Sequence, residues 1–280
     1  MRRGTLIERR YRLGAKLAAS GMSQVYRAHD EMLGAEVAVK LLHPILHDEA
    51  HQRERFSREV STMGALEHPN IVRVTDSGTS ADGTPYMVQE FVDGPMLHES
   101  FGGLSVAPEV YLPIVVQIAS ALQYCHERGI VHRDLKPANI FVLGAGEPNP
   151  RVKIADFGIA SMLEEPGITQ NGMLAGTPGY MAPEYIRGEL VSEQVDIYSL
   201  GVILYELATG SHPFPDTSAE ELIRAHAEIL PDSPRESRPS LDLGLTQFIL
   251  RCLHKKPSER PWGASGFLAE VYEIDPSLRT

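Results

Sequence analysis

The pattern of apolar residues changes at Asp93-Gly94-Pro95, and this change limits the folds open to the chain more than any other feature. Before it, short alternating or β-branched runs predict strands at 11–17, 24–29, 36–42 and 86–92, and residues from about 48 to 66 have helical spacing. After it, helical patterns predominate. Because Asp-Gly-Pro favours a turn, we predict a boundary here between a strand-rich part, residues 1–92, and a helical part, residues 93–280.

Two long helices and a hairpin are predicted in the second part. Residues 108–128 repeat apolar side chains at helical spacing, and Gly129 is a suitable residue to end that helix. Residues 193–209 are apolar on nearly all sides and end at Gly210, which predicts a buried central helix. Between them, short apolar runs at 140–143 and 152–155 flank the turn-rich GAGEPNP and predict a hairpin with a long loop.

The composition excludes several classes of function. The net charge of −11 repels phosphate backbones and anionic lipids, so neither nucleic acid nor a membrane surface is an expected partner. The only two cysteines, Cys125 and Cys252, lack the spacing of a zinc site or a disulfide framework. The longest apolar stretch, near 197–205, is too short for a membrane span. We therefore expect a cytoplasmic protein.

Four polar residues in two short segments form a set with a recognisable chemistry. Asp134, Lys136 and Asn139 belong to HRDLKPAN, and Asp156 begins Asp-Phe-Gly directly after the predicted hairpin. Transfer of a phosphoryl group needs a carboxylate to orient or deprotonate the attacking hydroxyl, cations to hold phosphates, and oxygen ligands for Mg²⁺. The four side chains satisfy these needs, although Asp134 alone could be an Asx-turn residue, Asn139 a helix cap and Asp156 the cap of a turn.

Lys40 lies in the strand predicted at 36–42. Because side chains alternate along a strand, Ala38 and Lys40 share one face while Val37, Val39 and Leu41 share the other. A lysine beside a small residue suits a ligand pocket.

Four motifs in order give the chain its resemblance to a known family: VAVK ending at Lys40, HRDLKPAN, Asp-Phe-Gly and Ala-Pro-Glu at 182–184. With these motifs the chain, from Tyr11 to about Tyr272, resembles the protein kinase superfamily, and most of all the bacterial serine/threonine kinases of eukaryotic type. The resemblance implies an α+β, two-lobe fold: an N-terminal antiparallel sheet with one helix, and a larger, mainly helical C-terminal lobe, together forming one catalytic domain.

The resemblance also implies roles for individual residues in phosphoryl transfer from ATP. Lys40 would contact the α and β phosphates and pair with Glu59. Asp134 would be the catalytic base, and Lys136 would stabilise the γ-phosphate.

The binding of metal and adenine is implied in the same way. Asn139 and Asp156 would bind Mg²⁺ or Mn²⁺. The adenine pocket would be lined by Leu17, Val25, Ala38, Phe141 and the backbones of Glu90 and Val92.

The phosphate loop departs from the kinase pattern. Ala18, Ser20 and Ser23 stand where three glycines are expected, which leaves Gly21 as the nearby glycine. Because glycine lets backbone amides approach phosphates closely, we expect weaker ATP binding or slower turnover. A pseudokinase that acts as a nucleotide-gated scaffold is therefore the alternative. A small-molecule phosphotransferase is disfavoured, because such enzymes lack the Ala-Pro-Glu segment.

The segment from Asp156 to Glu184 resembles a kinase activation loop. Arg133 before Asp134 is typical of kinases in which a phosphate orders this loop, and the expected phosphorylation sites are Thr169 first and Thr177 second. Lys136, together with Gly176-Thr177-Pro178, resembles the serine/threonine branch. Protein substrates, and a kinase homodimer for autophosphorylation, are the expected partners.

Three further residues are expected to support the site rather than to act in it. In related kinases the Glu of Ala-Pro-Glu pairs with a distant arginine, here Glu184 with Arg260. Asp196 resembles the buried helix residue that holds the backbone of the catalytic loop.

Overall fold

The computed structural model of this 280-residue chain describes residues 3–20, 23–42, 60, 63–147, 149–157, 178–214 and 218–279. The chain divides into two compact units, Met1–Asp93 and Gly94–Thr280. Strands make up most of the first described unit and helices most of the second. The predicted α+β class, with an N-terminal antiparallel sheet and a helical C-terminal part, is confirmed. The helix predicted from about 48 to 66 falls largely outside the described residues.

The first unit contains a six-stranded antiparallel sheet with the strand order β1-β2-β3-β4-β6-β5. Four of its strands match the predicted ones to within two residues at each end. The sequence pattern missed β1, which has only two residues, and β5, an edge strand whose residues are mostly polar. The strands are β1 (Leu6–Ile7), β2 (Tyr11–Ala19), β3 (Ser23–Asp30), β4 (Ala35–Leu42), β5 (Val74–Thr79) and β6 (Pro85–Glu90).

One face of this sheet is buried in an apolar core. Val37, Val39 and Leu41 of β4 belong to that core, together with residues of β2, β3 and β6. The alternation predicted for β4 is therefore confirmed, and Ala38 and Lys40 lie on the opposite face.

The second unit is built around a buried helix, α4 (Gln194–Thr209). Every residue of α4 except Glu206 is buried, because α2, α7 and α8 all pack against it. Gly210 ends the helix with φ 79°, a left-handed conformation that glycine adopts without steric cost. The other helices are α1 (Leu97–Phe101), α2 (Pro108–His126), α3 (Pro183–Ile186), α5 (Ala219–Glu228), α6 (Pro234–Ser237), α7 (Leu243–Cys252) and α8 (Gly263–Ile274).

Short elements connect α2 to the rest of this unit. The predicted hairpin is present as β7 (Ile140–Leu143) and β8 (Arg151–Ile154), which pair in register. A 3₁₀ turn at Pro137–Asn139 precedes β7, and a second one at Pro178–Tyr180 precedes α3. Within the described ranges, each helix is too short or too polar to cross a membrane.

Two helical glycines provide a test of how tightly α4 is packed. A Cβ atom on Gly201 of α4 would lie 2.6 Å from the Cβ atom of Cys252 in α7, closer than two carbon atoms tolerate. We expect Gly201→Ala to lower the free energy of unfolding by about 1–3 kcal/mol, because it overpacks a dense core. The measurement is urea unfolding followed by circular dichroism.

Gly266→Ala is the matched control. Gly266 lies in α8, and a Cβ atom added there would lie 3.4 Å from its nearest neighbour, the Cβ atom of Trp262. We expect this variant to be as stable as the wild type or more stable by up to about 1 kcal/mol, because alanine is the better helix former. Equal losses in both variants would contradict the overpacking argument.

Candidate active site

Three predicted residues meet in the loop between α2 and β7. Lys136 Nζ donates to both carboxylate oxygens of Asp134, at 3.1 and 2.8 Å. Asn139 Nδ2 donates to the backbone carbonyl of Asp134 at 2.8 Å and to its Oδ2 at 3.2 Å. About one fifth of the Asp134 and Lys136 side chains is exposed, so a ligand can reach both. The structure therefore gathers a carboxylate, an ammonium group and an amide around one accessible point.

The backbone of this loop is held by a buried carboxylate. Asp196, near the start of α4, accepts hydrogen bonds from the backbone N–H groups of His132 and Arg133, both at 2.8 Å. Its Oδ2 also accepts a bond from Nε2 of His126, at the end of α2. Arg133 adopts φ 65°, an unusual value for a residue with a side chain, and it directly precedes Asp134. The supporting role expected for Asp196 is confirmed by these contacts.

The surroundings of Asp196 favour its charged form. Complete burial by itself would raise the pKa of this carboxyl group, because it removes water from the charge. The hydrogen bond from His126, the nearby His126 and His132 rings and the backbone amide outweigh that effect and lower the pKa below its ordinary value. Asp196 is therefore a carboxylate whenever the protein is folded near neutral pH.

Asp156 follows β8 and is tied to the same loop through its neighbours. The N–H of Ala155 donates to the Asn139 carbonyl at 2.8 Å, and Nε2 of His132 lies 3.2 Å from the Ala155 carbonyl. The ring of Phe157 packs on His132 with centroids 4.5 Å apart. Asp156 itself has φ 57°. A second left-handed residue in one site indicates a backbone that the surrounding contacts hold in place.

The first unit presents Lys40 on the sheet face opposite its core. Lys40 pairs with Val25, and Val25 pairs with Ala18, so these three residues lie side by side across β4, β3 and β2. Ala38 is two residues from Lys40 and therefore on the same face. Lys40 is 7% exposed, whereas Leu17 at the end of β2 is 50% exposed. This face combines small apolar residues with one buried ammonium group.

Serine hydroxyl groups close the turn between β2 and β3. The N–H of Ser20 donates to the Ser23 carbonyl at 2.8 Å, and the N–H of Ser23 donates to Ser20 Oγ at 3.1 Å. Positive φ angles occur elsewhere in the described chain but not at Ala18, Ser20 or Ser23. The described part of this turn is closed by one backbone bond and by one bond to a serine hydroxyl group.

Three other predicted residues lie at the ends of strands or in the hairpin. Glu90, the last residue of β6, donates its N–H to the Arg73 carbonyl at 2.9 Å, and Val92 follows it. In the second unit, Phe141 lies in β7 opposite Lys153 and is half-buried. The remaining predicted residues, Gly21, Glu59, Thr169 and Thr177, lie outside the described residues.

An ion pair joins α3 to the end of the second unit, as expected. Arg260 donates from Nη1 and Nη2 to the two carboxylate oxygens of Glu184, both at 2.7 Å. Both side chains are almost fully buried, and Arg260 also donates to the carbonyl of Gln194. This two-point contact fixes the start of α3 to α4. The bond from His126 to Asp196 was not predicted, because neither the apolar periodicity nor the kinase motifs single out His126.

Comparison with known proteins places this geometry in context. Residues 11–272 match the protein kinase domain family. The chain is 37% identical over 99% of its length to the serine/threonine-protein kinase pkn3 of Myxococcus xanthus, and covers 52% of that protein. It is 37% identical over 95% of its length to PknB of Mycobacterium leprae, of which it covers 43%. The chain thus spans about half the length of these curated relatives, or less.

The solved structures agree with this result. The kinase domain of Mycobacterium tuberculosis PknI is similar to the chain with a TM-score of 0.71 at 28% identity. The similarity covers 98% of this chain and 99% of that domain.

The contacts of Asp196 predict a large effect of a small chemical change. An asparagine amide at position 196 has only one acceptor oxygen, and its NH₂ group would face the N–H donors that now bind the carboxylate. At least one of these buried donors would therefore lose its partner. We expect Asp196→Asn to lower the free energy of unfolding by about 2–4 kcal/mol, measured by chemical unfolding at pH 7.

The pH dependence and a matched variant test the cause. Because the pKa of Asp196 is lowered on folding, its carboxylate contributes stability above the ordinary pKa of about 3.9 and loses it as the pH falls through the folded value. The difference between wild type and Asp196→Asn should therefore shrink in acid. Asp242→Asn is the control, since Asp242 caps α7 at the surface and asparagine caps equally well. An unchanged difference down to acid unfolding would rule out the charge as the cause.

Proposed function

Because this chain belongs to the protein kinase family, we propose that it transfers the γ-phosphoryl group of ATP to serine and threonine hydroxyl groups of proteins. The observation that carries the proposal is the group of side chains around Asp134, where Lys136 and Asn139 bind the same carboxylate that would meet the hydroxyl group. The relatives are named serine/threonine-protein kinases, which supports the choice of substrate.

Asp134 and Lys136 have complementary tasks in this mechanism. The Asp134 carboxylate accepts the hydrogen of the attacking hydroxyl group and orients its oxygen toward the γ-phosphorus. Lys136, already within hydrogen-bond distance of Asp134, offsets the negative charge that spreads over the transferred phosphoryl group. The hydrogen bonds that Asp196 accepts from His132 and Arg133 keep this loop in one conformation before the substrate arrives. Little reorganisation is therefore needed during the reaction.

The side chains of Asn139 and Asp156 suit Mg²⁺ or Mn²⁺. Asn139 donates its Nδ2 hydrogens to Asp134, which directs the nitrogen toward that residue and presents the amide oxygen as the ligand. Asp156 supplies a carboxylate, and hard divalent cations prefer oxygen donors of these two kinds. When bound, the cation neutralises phosphate charge. The N–H of Ala155, the residue before Asp156, donates to the carbonyl of Asn139. This backbone bond ties together the two segments that carry the oxygen ligands.

The first unit supplies the remaining contacts to ATP in this proposal. Lys40 binds the α and β phosphates and pairs with Glu59, while Ala18, Ser20, Gly21 and Ser23 form the phosphate loop. The apolar side chains beside Lys40 accept the flat base, since small residues leave room for it. The two units act as one catalytic domain. The adenine-binding set is Leu17, Val25, Ala38, Glu90, Val92 and Phe141.

The serine-closed phosphate loop supports a working enzyme with weaker nucleotide binding. Ser20 and Ser23 already form the turn through their own hydrogen bonds. The N–H groups of both serines are thus bonded within the turn, and a side chain occupies space that glycine leaves open, so we expect weaker phosphate binding.

The cellular setting is part of the proposal. Cys125 and Cys252 are buried free thiols, as expected for a protein that functions in the reducing cytoplasm. Its partners are proteins with accessible serine or threonine, including a second copy of the kinase for autophosphorylation.

The activity is tested with the isolated chain, MgATP and a peptide that contains serine and threonine. We expect transfer to the peptide that depends on Mg²⁺ or Mn²⁺ and that falls about 100- to 10,000-fold in kcat for Asp134→Asn, because the general base is lost. Asp242→Asn is the control for the same chemical change at a distant cap. Nucleotide binding without transfer in the wild type would contradict the proposal.

Phosphorylation of the chain itself gives a separate prediction. Nε of Arg133 is buried and has no acceptor among the described residues, and a phosphate in the activation loop would supply one. We expect intact-mass and fragment analysis after incubation with MgATP to locate phosphate on Thr169 first and on Thr177 second. Thr169→Ala should lower the activity, because the loop loses its phosphate. An active preparation without phosphate on Thr169 would contradict this assignment.

A further inference from the structure

A second group of polar side chains lies in the second unit, outside the residues that handle phosphate. It surrounds the 3₁₀ turn Pro178–Tyr180, which leads from the activation loop into α3. A cleft of about 170 Å³ lies beside this turn, and its lining includes Pro137, Tyr180, Glu206 and His212. Because Pro137 is three residues from Asp134, this cleft is within reach of a protein chain that presents its hydroxyl group to Asp134.

The turn is held on one side by α4. Ser199 donates its hydroxyl hydrogen to the carbonyl of Tyr180 at 2.7 Å. The Tyr180 hydroxyl group donates to the carboxylate of Glu206, whose oxygens lie 3.0 and 2.8 Å away. These contacts fix Tyr180 to a rigid helix.

The other side of the turn is held by His212. Nε2 of His212 donates to the carbonyl of Gly179 at 2.8 Å. A Cβ atom on residue 179 would lie 3.5 Å from this nitrogen, so the imidazole ring packs directly on the glycine. The bond of His212 thus fixes the residue next to Tyr180, from a loop that follows α4.

His212 can donate this bond in either charge state. Its Nδ1 lies 2.9 Å from the Phe214 carbonyl and 3.2 Å from the Phe214 N–H. The neutral ring accepts from that N–H, and the protonated ring donates to that carbonyl. In both states Nε2 carries a hydrogen, so the bond to Gly179 remains.

A buried hydrogen-bond chain lies behind His212. Lys255 Nζ lies 3.3 Å from the Tyr198 hydroxyl oxygen, which lies 2.9 Å from Nδ1 of His226. The His226 ring packs 5.6 Å from His212 and 4.7 Å from Phe214, measured between centroids. Burial, followed by the charges of His212 and Lys255, lowers the pKa of His226 to about 3, so its ring is neutral.

Lys255 also fixes the helix that carries His226. Its Nζ donates to the carbonyls of Ala225 and His226, near the C-terminal end of α5, at 3.1 and 2.7 Å. Burial lowers the pKa of Lys255 to about 7, and in its charged form this ammonium group is stabilising at the C-terminal end of a helix. Since α5 packs against both α3 and the Pro178–Tyr180 turn, the bonds of Lys255 support the same segment that His212 holds.

From these contacts we propose that His212 is a positioning residue for the protein substrate: its bond to Gly179 holds the Pro178–Tyr180 turn against the cleft beside Pro137. His226, Tyr198 and Lys255 form the support behind it. This inference rests on the proposed kinase function, but it concerns the protein substrate and not ATP. Loss of the bond should therefore weaken the use of the protein substrate while ATP binding stays the same.

Two substitutions separate the hydrogen bond from the bulk of the ring. His212→Leu removes the donor and keeps an apolar side chain of similar size, whereas His212→Gln restores an N–H donor. With the full chain, MgATP and a serine-containing peptide, we expect His212→Leu to raise the KM for the peptide about fivefold, as for one lost hydrogen bond. The KM for ATP should remain at the wild-type value in both variants, and His212→Gln should recover most of the peptide KM.

His98→Leu is the matched control. His98 is exposed and lines the same cleft, but among the described residues its side chain makes no hydrogen bond or ring contact with the turn. An equal rise in peptide KM in His98→Leu would overturn the proposal and attribute the effect to the polarity of the cleft. Equal rises in the KM for peptide and ATP in His212→Leu, or no recovery in His212→Gln, would overturn it as well.

A measurement without catalysis keeps this proposal separate from the proposed function. Hydrogen–deuterium exchange of the segment 178–186 should be faster in His212→Leu than in the wild type, and unchanged in His212→Gln and His98→Leu. If the wild type transfers no phosphate but this exchange pattern is found, the proposed function fails and the anchoring by His212 stands. Unchanged exchange in His212→Leu would overturn the anchoring, whatever the activity.

Discussion

The buried carboxylate of Asp196 is the interaction on which the candidate active site depends. It accepts the N–H groups of His132 and Arg133, the two residues directly before Asp134, and a bond from His126 at the end of α2. Three donors around one carboxylate compensate for its loss of water, and their bonds lower its pKa although burial acts in the opposite direction. The left-handed backbone at Arg133 persists because these bonds hold Arg133 itself and the residue before it.

Other polar side chains of α4 hold loops of the second unit in the same way as Asp196. Helix α4 holds two loops from three positions: Asp196 holds the residues before Asp134, while Ser199 and Glu206 both hold Tyr180. A helix that is buried on nearly all sides has no freedom to shift, because its neighbours fill the space around it. Polar side chains on α4 can therefore set the positions of loops that are far apart in the sequence.

In the first unit, strand alternation has a comparable effect. Because β4 places Val37, Val39 and Leu41 in the core, Ala38 and Lys40 must face the other way. Val25 and Ala18 join that face through the register of β3 and β2. At the adjacent turn, where glycine was expected, the N–H of Ser23 donates to the Ser20 hydroxyl oxygen and the N–H of Ser20 donates to the Ser23 carbonyl. Hydrogen bonds of the serine side chains thus restrict this turn, where glycine would have made the backbone more flexible.

The sequence alone determined the fold class, the family resemblance and the local elements. Apolar periodicity located α2, α4 and four strands of the sheet, since it reflects which face of an element is buried. It did not reveal β5, because the residues of this edge strand are mostly polar. The motifs around Asp134 and Asp156 indicated phosphoryl transfer, because that reaction needs those residue types at close spacing. Tertiary structure alone decided the contacts of His126 with Asp196 and of His212 with Gly179. Those pairs are separated by tens of residues, and local pattern contains no information on which distant side chain a folded helix will place beside a given carbonyl or carboxylate.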